Sequence, residues 1–182
     1  MVIGWVIGAV VVIALIFVYY YNRFVTLNNR TQNSLSQIDV QLKRRVDLVP
    51  NLIETVKGYA KHEKSAIKEV TDARKALLSA GNLPAKMKAG AELQNALKSI
   101  FALAESYPAL KANENFLELQ RELAATEDKI AYSRQYYNDS ILSYNNLCQS
   151  FPGNMFAKLY GRQVLEFLQI REEERVVPKA EF

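Results

Sequence analysis

Few side chains in this sequence have types suited to covalent or metal chemistry, and their counts are restrictive. Cys148 is the single cysteine and His62 the single histidine. One cysteine permits no internal disulfide and no cysteine-based zinc site, and one histidine permits no two-histidine metal site within a chain. The glycines are scattered singly, without a GxxxxGK or GxGxxG loop to cradle a phosphate. Asp39, Asp47, Asn51 and Glu54 come nearest to an acid–base or metal cluster, but carboxylates at this density are ordinary on a solvated helix. Cys148 lies beside an apolar seam, where a thiol serves as a small hydrophobe. His62 falls near a helix junction and reads as a cap or surface residue. The expectation is no catalytic residue, no cofactor and no metal.

Polar residues that land on apolar seams are more informative. Counting heptads through Leu35, Ile38, Leu42, Val49 and Leu52 puts Arg45 on the seam itself. A charge there is costly unless paired. The expected partner is a carboxylate of a later helix, Glu122 or Glu127; the competing reading is a long side chain snorkelling out of a seam widened near Pro50. Thr126, Ser133 and Ser140 recur at sevens among large apolar residues. They read as a satisfied polar layer that sets helix register.

The elements that position these residues follow from periodicity. After residue 22 no stretch alternates apolar and polar with period two, and a helical spacing dominates. Phe24, Thr31, Leu35, Ile38, Leu42, Val49, Leu52, Val56 and Tyr59 mark a first seam that Pro50 interrupts. A second helix is predicted from about Glu63 to Ala80, ended by Gly81-Asn82, and a third from Pro84 to about Ser106, closed by Tyr107-Pro108. The strongest pattern is Phe116, Leu123, Ile130, Tyr137, Tyr144 and Phe151, at strict intervals of seven. It predicts a helix from about Asn115 to Ser150, with Asn115 and Glu118 as a capping box. The fold class expected is all-α: a transmembrane helix, an antiparallel four-helix bundle with long coiled-coil-like helices, and a short C-terminal amphipathic helix.

Val2–Tyr21 holds 18 apolar residues among 20, with Gly4 and Gly8 the exceptions. At ~1.5 Å per residue this run spans ~30 Å, the thickness of a bilayer's hydrocarbon core. Trp5 at one end and Tyr19, Tyr20 and Tyr21 at the other suit the two headgroup levels, and Arg23 is the first charged side chain. No basic start and no small-residue cleavage site mark a signal peptide, so a retained anchor is expected. Lysine and arginine follow the anchor and do not precede it, which predicts an outside N-terminus and a cytoplasmic remainder. The domains expected are 1–22 as anchor, 23–151 as bundle, 152–170 as amphipathic helix and 171–182 as flexible tail.

Residues 22–61 carry seven Lys/Arg and three Asp/Glu, so the whole formal charge of +4 lies there. The excess is confined to one helix beside the anchor and no recognition module is visible, which argues against nucleic acid as a partner. Phe151, Met155, Phe156, Leu159, Tyr160, Val164, Phe167 and Leu168 form an apolar stripe at helical spacing, flanked by Lys158, Arg162 and Arg171. Three partners suit it: the bilayer interface, a neighbouring subunit, or the base of its own bundle.

The blocks Ser36-Gln37-Ile38-Asp39-Val40-Gln41-Leu42-Lys43-Arg44-Arg45 through Leu52, Ala104-Glu105-Ser106-Tyr107-Pro108 through Asn113, and Tyr136-Tyr137-Asn138-Asp139 resemble the LemA family of bacterial membrane proteins, over nearly the whole chain. The resemblance implies one membrane helix, a short outside N-terminus and a cytoplasmic helical bundle. It implies no enzymatic activity, and relatives include a protein of magnetosome membranes. The expected function is a non-enzymatic scaffold that self-associates as a homo-oligomer and organises or shapes the bacterial inner membrane. The alternative is an adaptor that recruits a protease, a kinase or an envelope-assembly partner.

Overall fold

The computed structural model describes residues 1–168, and among these every regular element is helical. The order is α1 (Val2–Tyr59), α2 (Lys64–Ser79), α3 (Leu83–Ala104), α4 (Pro108–Lys111), α5 (Glu114–Gln149) and α6 (Gly153–Leu159). The apolar run and the first amphipathic helix are one element, since α1 continues for 58 residues, ~87 Å, with no break at residue 22. Its first part is long and apolar enough to cross a membrane, and the apolar side chains of that part are exposed. Two compact units are present: Met1–Ser36 with Ser133–Phe182, described through residue 168, and Gln37–Tyr132.

In the Gln37–Tyr132 unit the buried side chains come from α1, α2, α3 and α5, including Ile38, Val49, Leu52, Val70, Leu93, Ile100, Phe116 and Leu123. Phe101 and Phe116 meet edge to face with centroids 6.0 Å apart. Gly90 of α3 is buried, and a Cβ there would stand 3.0 Å from Leu42 Cδ2, so the missing side chain lets α3 approach α1. Asn82 caps α3, its Oδ1 accepting from the Ala85 N–H at 2.9 Å, with proline in the first turn. The cap of α5 is Asn113 and not Asn115: the Phe116 N–H donates to Asn113 Oδ1 at 2.9 Å. Pro108, read from sequence as a terminator, opens the one-turn α4.

Helix α1 runs through Pro50, and the local chemistry explains how. A proline has no N–H, so the carbonyl four residues back loses its intrahelical donor. That carbonyl belongs to Val46, and Arg74 of α2 donates to it from Nε at 3.0 Å. The guanidinium replaces the bond that Pro50 removes. Arg74→Leu should therefore destabilise the fold by about 1–2 kcal/mol by orphaning a buried carbonyl. In the Pro50→Ala background, where a backbone N–H returns, the same change should cost less than half as much. A thermal-denaturation double-mutant cycle reads the difference, and equal costs in both backgrounds would refute the compensation.

In the other unit the seam of α1 is Phe24, Leu27, Thr31 and Ser34, and that of α5 is Ser133, Ser140, Ile141 and Tyr144, all buried. Ser34 is buried, whereas Leu35, the residue expected on the seam, is half-buried. The Ser34 hydroxyl donates to Arg30 O at 2.7 Å and lies 3.5 Å from the Ser140 hydroxyl. Thr31 and Ser140 likewise return their hydroxyl protons to carbonyls four residues back, Leu27 O and Tyr136 O. Small side chains satisfied this way leave no orphaned polar group where two helices touch.

The C-terminal helix is shorter than its sequence suggests. It ends at Leu159, and residues 162–168 are not helical. The cause is Gly161, whose φ of +63° is the left-handed conformation glycine tolerates. The Arg162 N–H reaches Ala157 O at 2.8 Å and the Gly161 N–H reaches Lys158 O at 3.3 Å, the paired bonds of a Schellman stop. Val164 and Phe167 therefore do not extend the stripe of α6. Residues 169–182, including the end of the expected 152–170 helix and the whole 171–182 tail, lie outside the described residues.

Candidate functional site

Two places concentrate the unusual chemistry, one in each unit. In the Gln37–Tyr132 unit, Arg45 is 2% exposed in the middle of α1. Its Nε donates to Thr126 Oγ1 at 3.2 Å, and its terminal nitrogen forms an ion pair with Glu127. Thr126 passes its own proton to Leu123 O at 2.7 Å. Of the two carboxylates weighed for Arg45, Glu127 is the one in contact; Glu122 stands 3.8 Å from Arg44 at the surface. Glu127 is about one-third exposed, so water shares in solvating the pair. Asp39 is occupied by Lys86, at 2.8 Å and 2.9 Å, and Asp47 faces Lys43 one turn before it. His62 is exposed in the turn between α1 and α2. Among the described residues no three His, Cys, Asp or Glu side chains cluster closely enough to hold a metal ion.

The second place lies where the apolar part of α1 ends. Tyr20 stacks on Phe156 with centroids 4.4 Å apart and planes 7° from parallel. Phe17 meets Phe156 edge-on at 5.1 Å, and Tyr21 and Phe24 meet Tyr160 at 5.7 Å and 6.2 Å. The Tyr160 hydroxyl donates to Phe17 O at 2.9 Å. Aromatic pairs of this kind each add ~0.5–1.5 kcal/mol beyond the area they bury. Helix α6 is thereby clamped against the last turns of the apolar segment.

The sequence-level stripe divides into two faces. Phe156, Ala157 and Tyr160 pack with Phe24, Leu27, Tyr144, Leu147 and Cys148 of the same chain, joined by Leu165. Phe151, Met155 and Leu159 turn outward, at 81%, 62% and 61% exposure, and Val164 and Phe167 are also exposed. Lys158 is exposed, whereas Arg162 is half-buried with its Nε unpartnered. Trp5, Tyr19, Tyr21 and Arg23 face outward, and Tyr20 is the belt residue covered by α6.

Two asparagines escaped the sequence reading. Asn145, buried, donates from Nδ2 to Leu165 O and accepts at Oδ1 from the Leu165 N–H, both at 2.8 Å. Asn138 repeats the pair with Leu168, at 3.1 Å and 2.9 Å. Each amide imitates a backbone partner and straps residues 162–168 along α5. Their signal was the interval: seven residues apart, each one position after a seam tyrosine. Asn145→Ala should speed amide exchange at Leu165 by about 10–100-fold, the equivalent of two modest hydrogen bonds. Hydrogen exchange of a peptide covering 162–168 measures this, and unchanged protection would contradict the strap.

Burial pushes the Cys148 thiol pKa upward, with Tyr144 and Arg162 acting in the opposite direction. The reactive thiolate thus appears at higher pH than for a free thiol. Alkylation by iodoacetamide should begin at higher pH in folded protein than in urea, and coincident profiles would contradict this.

Comparison with known proteins gives a consistent relationship. The sequence pattern of the LemA family matches residues 34–182. Magnetosome protein MamQ 2 of Paramagnetospirillum magneticum is 28% identical over 175 residues, covering 82% of this chain and 64% of the relative. Magnetosome protein MamQ of Magnetospirillum gryphiswaldense is 26% identical over 173 residues, covering 81% and 64%. Protein LemA of Metamycoplasma hominis is 27% identical over 169 residues, covering 88% and 76%. The chain thus spans 64% of the length of the MamQ relatives it matches. With the family pattern covering most of its length, the chain belongs to the LemA family.

Proposed function

We propose that this chain is a non-enzymatic, single-pass membrane protein whose helical part self-associates and organises or shapes the bacterial inner membrane. The observation that carries the reading is α1, in which an exposed apolar segment of spanning length runs without a loop into an amphipathic helix with a buried seam. Beyond residue 22, α1 with α2, α3 and α5 forms an antiparallel four-helix bundle in this reading. In this reading residues 22–182 lie in the cytoplasm and the N-terminus outside, supported by the lysine and arginine residues that follow the anchor. Relatives named as magnetosome proteins support a membrane role. Gly4 and Gly8 leave open space where another anchor can approach closely.

Sedimentation of the full-length protein in mild detergent tests self-association. Species larger than a monomer are expected. A monomer at every concentration would overturn the scaffold reading.

One observation favours the adaptor as the second reading. Lys57, Lys61, Lys64 and Lys68 line a shallow cleft of about 480 Å³ with Ile67 as its apolar element. No ion pair engages these lysines among the described residues. Such a surface suits an acidic partner segment. Under this reading, reversing Lys61 and Lys64 to glutamate abolishes recruitment and leaves the sedimentation profile unchanged.

A further inference from the structure

The aromatic clamp fixes α6 at a particular depth. Its Phe156 and Tyr160 rest on Phe17, Tyr20 and Tyr21, the closing turns of the apolar segment. Phe17 lies four residues before Tyr21, ~6 Å along the helix axis. A helix held there cannot stand clear of a bilayer that α1 crosses. Its outward residues agree with that position. Phe151, Met155 and Leu159 recur every four residues, all are large and apolar, and all are mostly exposed. Lys158, beside them, is exposed as well.

We propose that α6 lies in the boundary between headgroups and acyl chains, with Phe151, Met155 and Leu159 immersed in lipid and Lys158 reaching the phosphates. This rests on the reading that α1 spans a bilayer. The occupant is lipid and not a second protein because α6 is clamped to the closing turns of the apolar segment, whose own exposed side chains Ile16, Val18 and Tyr19 require acyl chains when α1 spans a bilayer. Charge placement is consistent: Arg23 and Lys158, the nearest exposed cations of the two helices, suit anionic headgroups. Amphipathic helices seated in one leaflet bind in a curvature-sensitive way. The arrangement therefore gives the proposed shaping activity a physical device. Its inner face is committed to the chain's own aromatic cluster, so α6 is held at that depth whether or not lipid covers its outer face.

Depth-dependent fluorescence quenching tests the proposal. The full-length protein, in a Cys148→Ser background, is labelled with an environment-sensitive fluorophore at Met155→Cys or independently at Leu159→Cys. It is then reconstituted into phosphatidylcholine–phosphatidylglycerol vesicles. Val11→Cys reports the anchor and Lys75→Cys a surface position of α2. Labels at 155 and 159 should be quenched severalfold more by nitroxides near the glycerol backbone than by nitroxides deep in the chains. Aqueous iodide should barely affect them. Quenching of Val11→Cys by deep nitroxides, with iodide quenching 155 and 159 as strongly as 75, would overturn the proposal and leave the anchor standing. Labels at 155 and 159 shielded from both iodide and nitroxides would mean a protein surface covers them, which also overturns it. A Val11→Cys label that no nitroxide reaches would remove the anchor reading and this proposal together.

Discussion

Glu127→Ala should lower the melting temperature of the full-length protein in detergent by roughly 5–10 °C, while Arg45→Met should leave it unchanged or raise it. The asymmetry follows from what each change leaves behind. Removing Glu127 strands a guanidinium that is 2% exposed, with only the Thr126 hydroxyl to receive it. Breaking a fully buried pair costs about 3–5 kcal/mol, and the partial exposure of Glu127 reduces that to about 2–3 kcal/mol. Replacing Arg45 by methionine removes the charge together with its desolvation cost and fills the seam with an apolar chain of similar reach. Thr126 still has Leu123 O as acceptor, and Glu127 turns to water. Glu122→Ala is the internal standard, because its contact with Arg44 at 3.8 Å is exposed and contributes at most about 1 kcal/mol. Circular dichroism melts of the three variants decide the matter. A loss for Glu127→Ala no larger than that for Glu122→Ala would mean the pair is not buried in the manner described. An Arg45→Met protein that melts higher but no longer assembles would show that the charge serves register and not stability.

Gly153→Ala should detach α6 from the aromatic clamp. An added Cβ would sit 2.2 Å from Leu147 O and 3.0 Å from Leu147 Cδ1. The first of these is backbone, which cannot rotate out of the way. Accommodating the methyl means moving the start of α6 or the end of α5, at a cost of about 1–3 kcal/mol typical of overpacking. The stacking of Phe156 on Tyr20 depends on that junction. The expected readouts are loss of near-ultraviolet dichroism from the cluster and faster amide exchange across Gly153–Leu159. Gly58→Ala is the contrast. Nothing lies within 4 Å of its added Cβ, and it stands within α1. Alanine there should stabilise by about 0.5–1 kcal/mol through helix propensity alone. An intact aromatic signal in Gly153→Ala would contradict the close junction between α5 and α6.

The legible and illegible parts of the chain differ for physical reasons. A heptad seam is readable because burial repeats with the helix, so Ile38, Leu42, Val49, Phe116, Leu123 and Ile130 announce themselves. The same counting prefers Leu35 to Ser34, because it takes apolarity as its sign of burial. It cannot register that a serine returning its proton to a carbonyl four residues back is at home in a tight helix contact. Counting also cannot say what covers a face. The stripe from Phe151 to Phe167 was readable as apolar, but its division between the chain's own aromatic rings and an outward face depends on tertiary contacts with Phe17 and Tyr20. Gly161 stops α6 by its left-handed backbone, and the apolar residues beyond it mask that stop in the sequence. Asn138, Asn145 and Arg74 act on backbone atoms distant in sequence, Leu168, Leu165 and Val46. No local pattern marks such bonds.

The aromatic clamp also connects the two kinds of evidence for a membrane role. Composition identifies the apolar segment, and Tyr160 donating to Phe17 O ties α6 to its end. The buried ion pair of Arg45 and Glu127 belongs to the other unit and concerns its stability and register. Separate variants therefore address separate units: Glu127 the Gln37–Tyr132 unit, Gly153 the junction of α5 and α6.

Electron microscopy of the full-length protein reconstituted into vesicles tests the central claim most directly. Regular assemblies on the membrane, or vesicles whose curvature changes with protein density, are the predicted result. Uniform small particles on undeformed vesicles, at the same protein density, would contradict it.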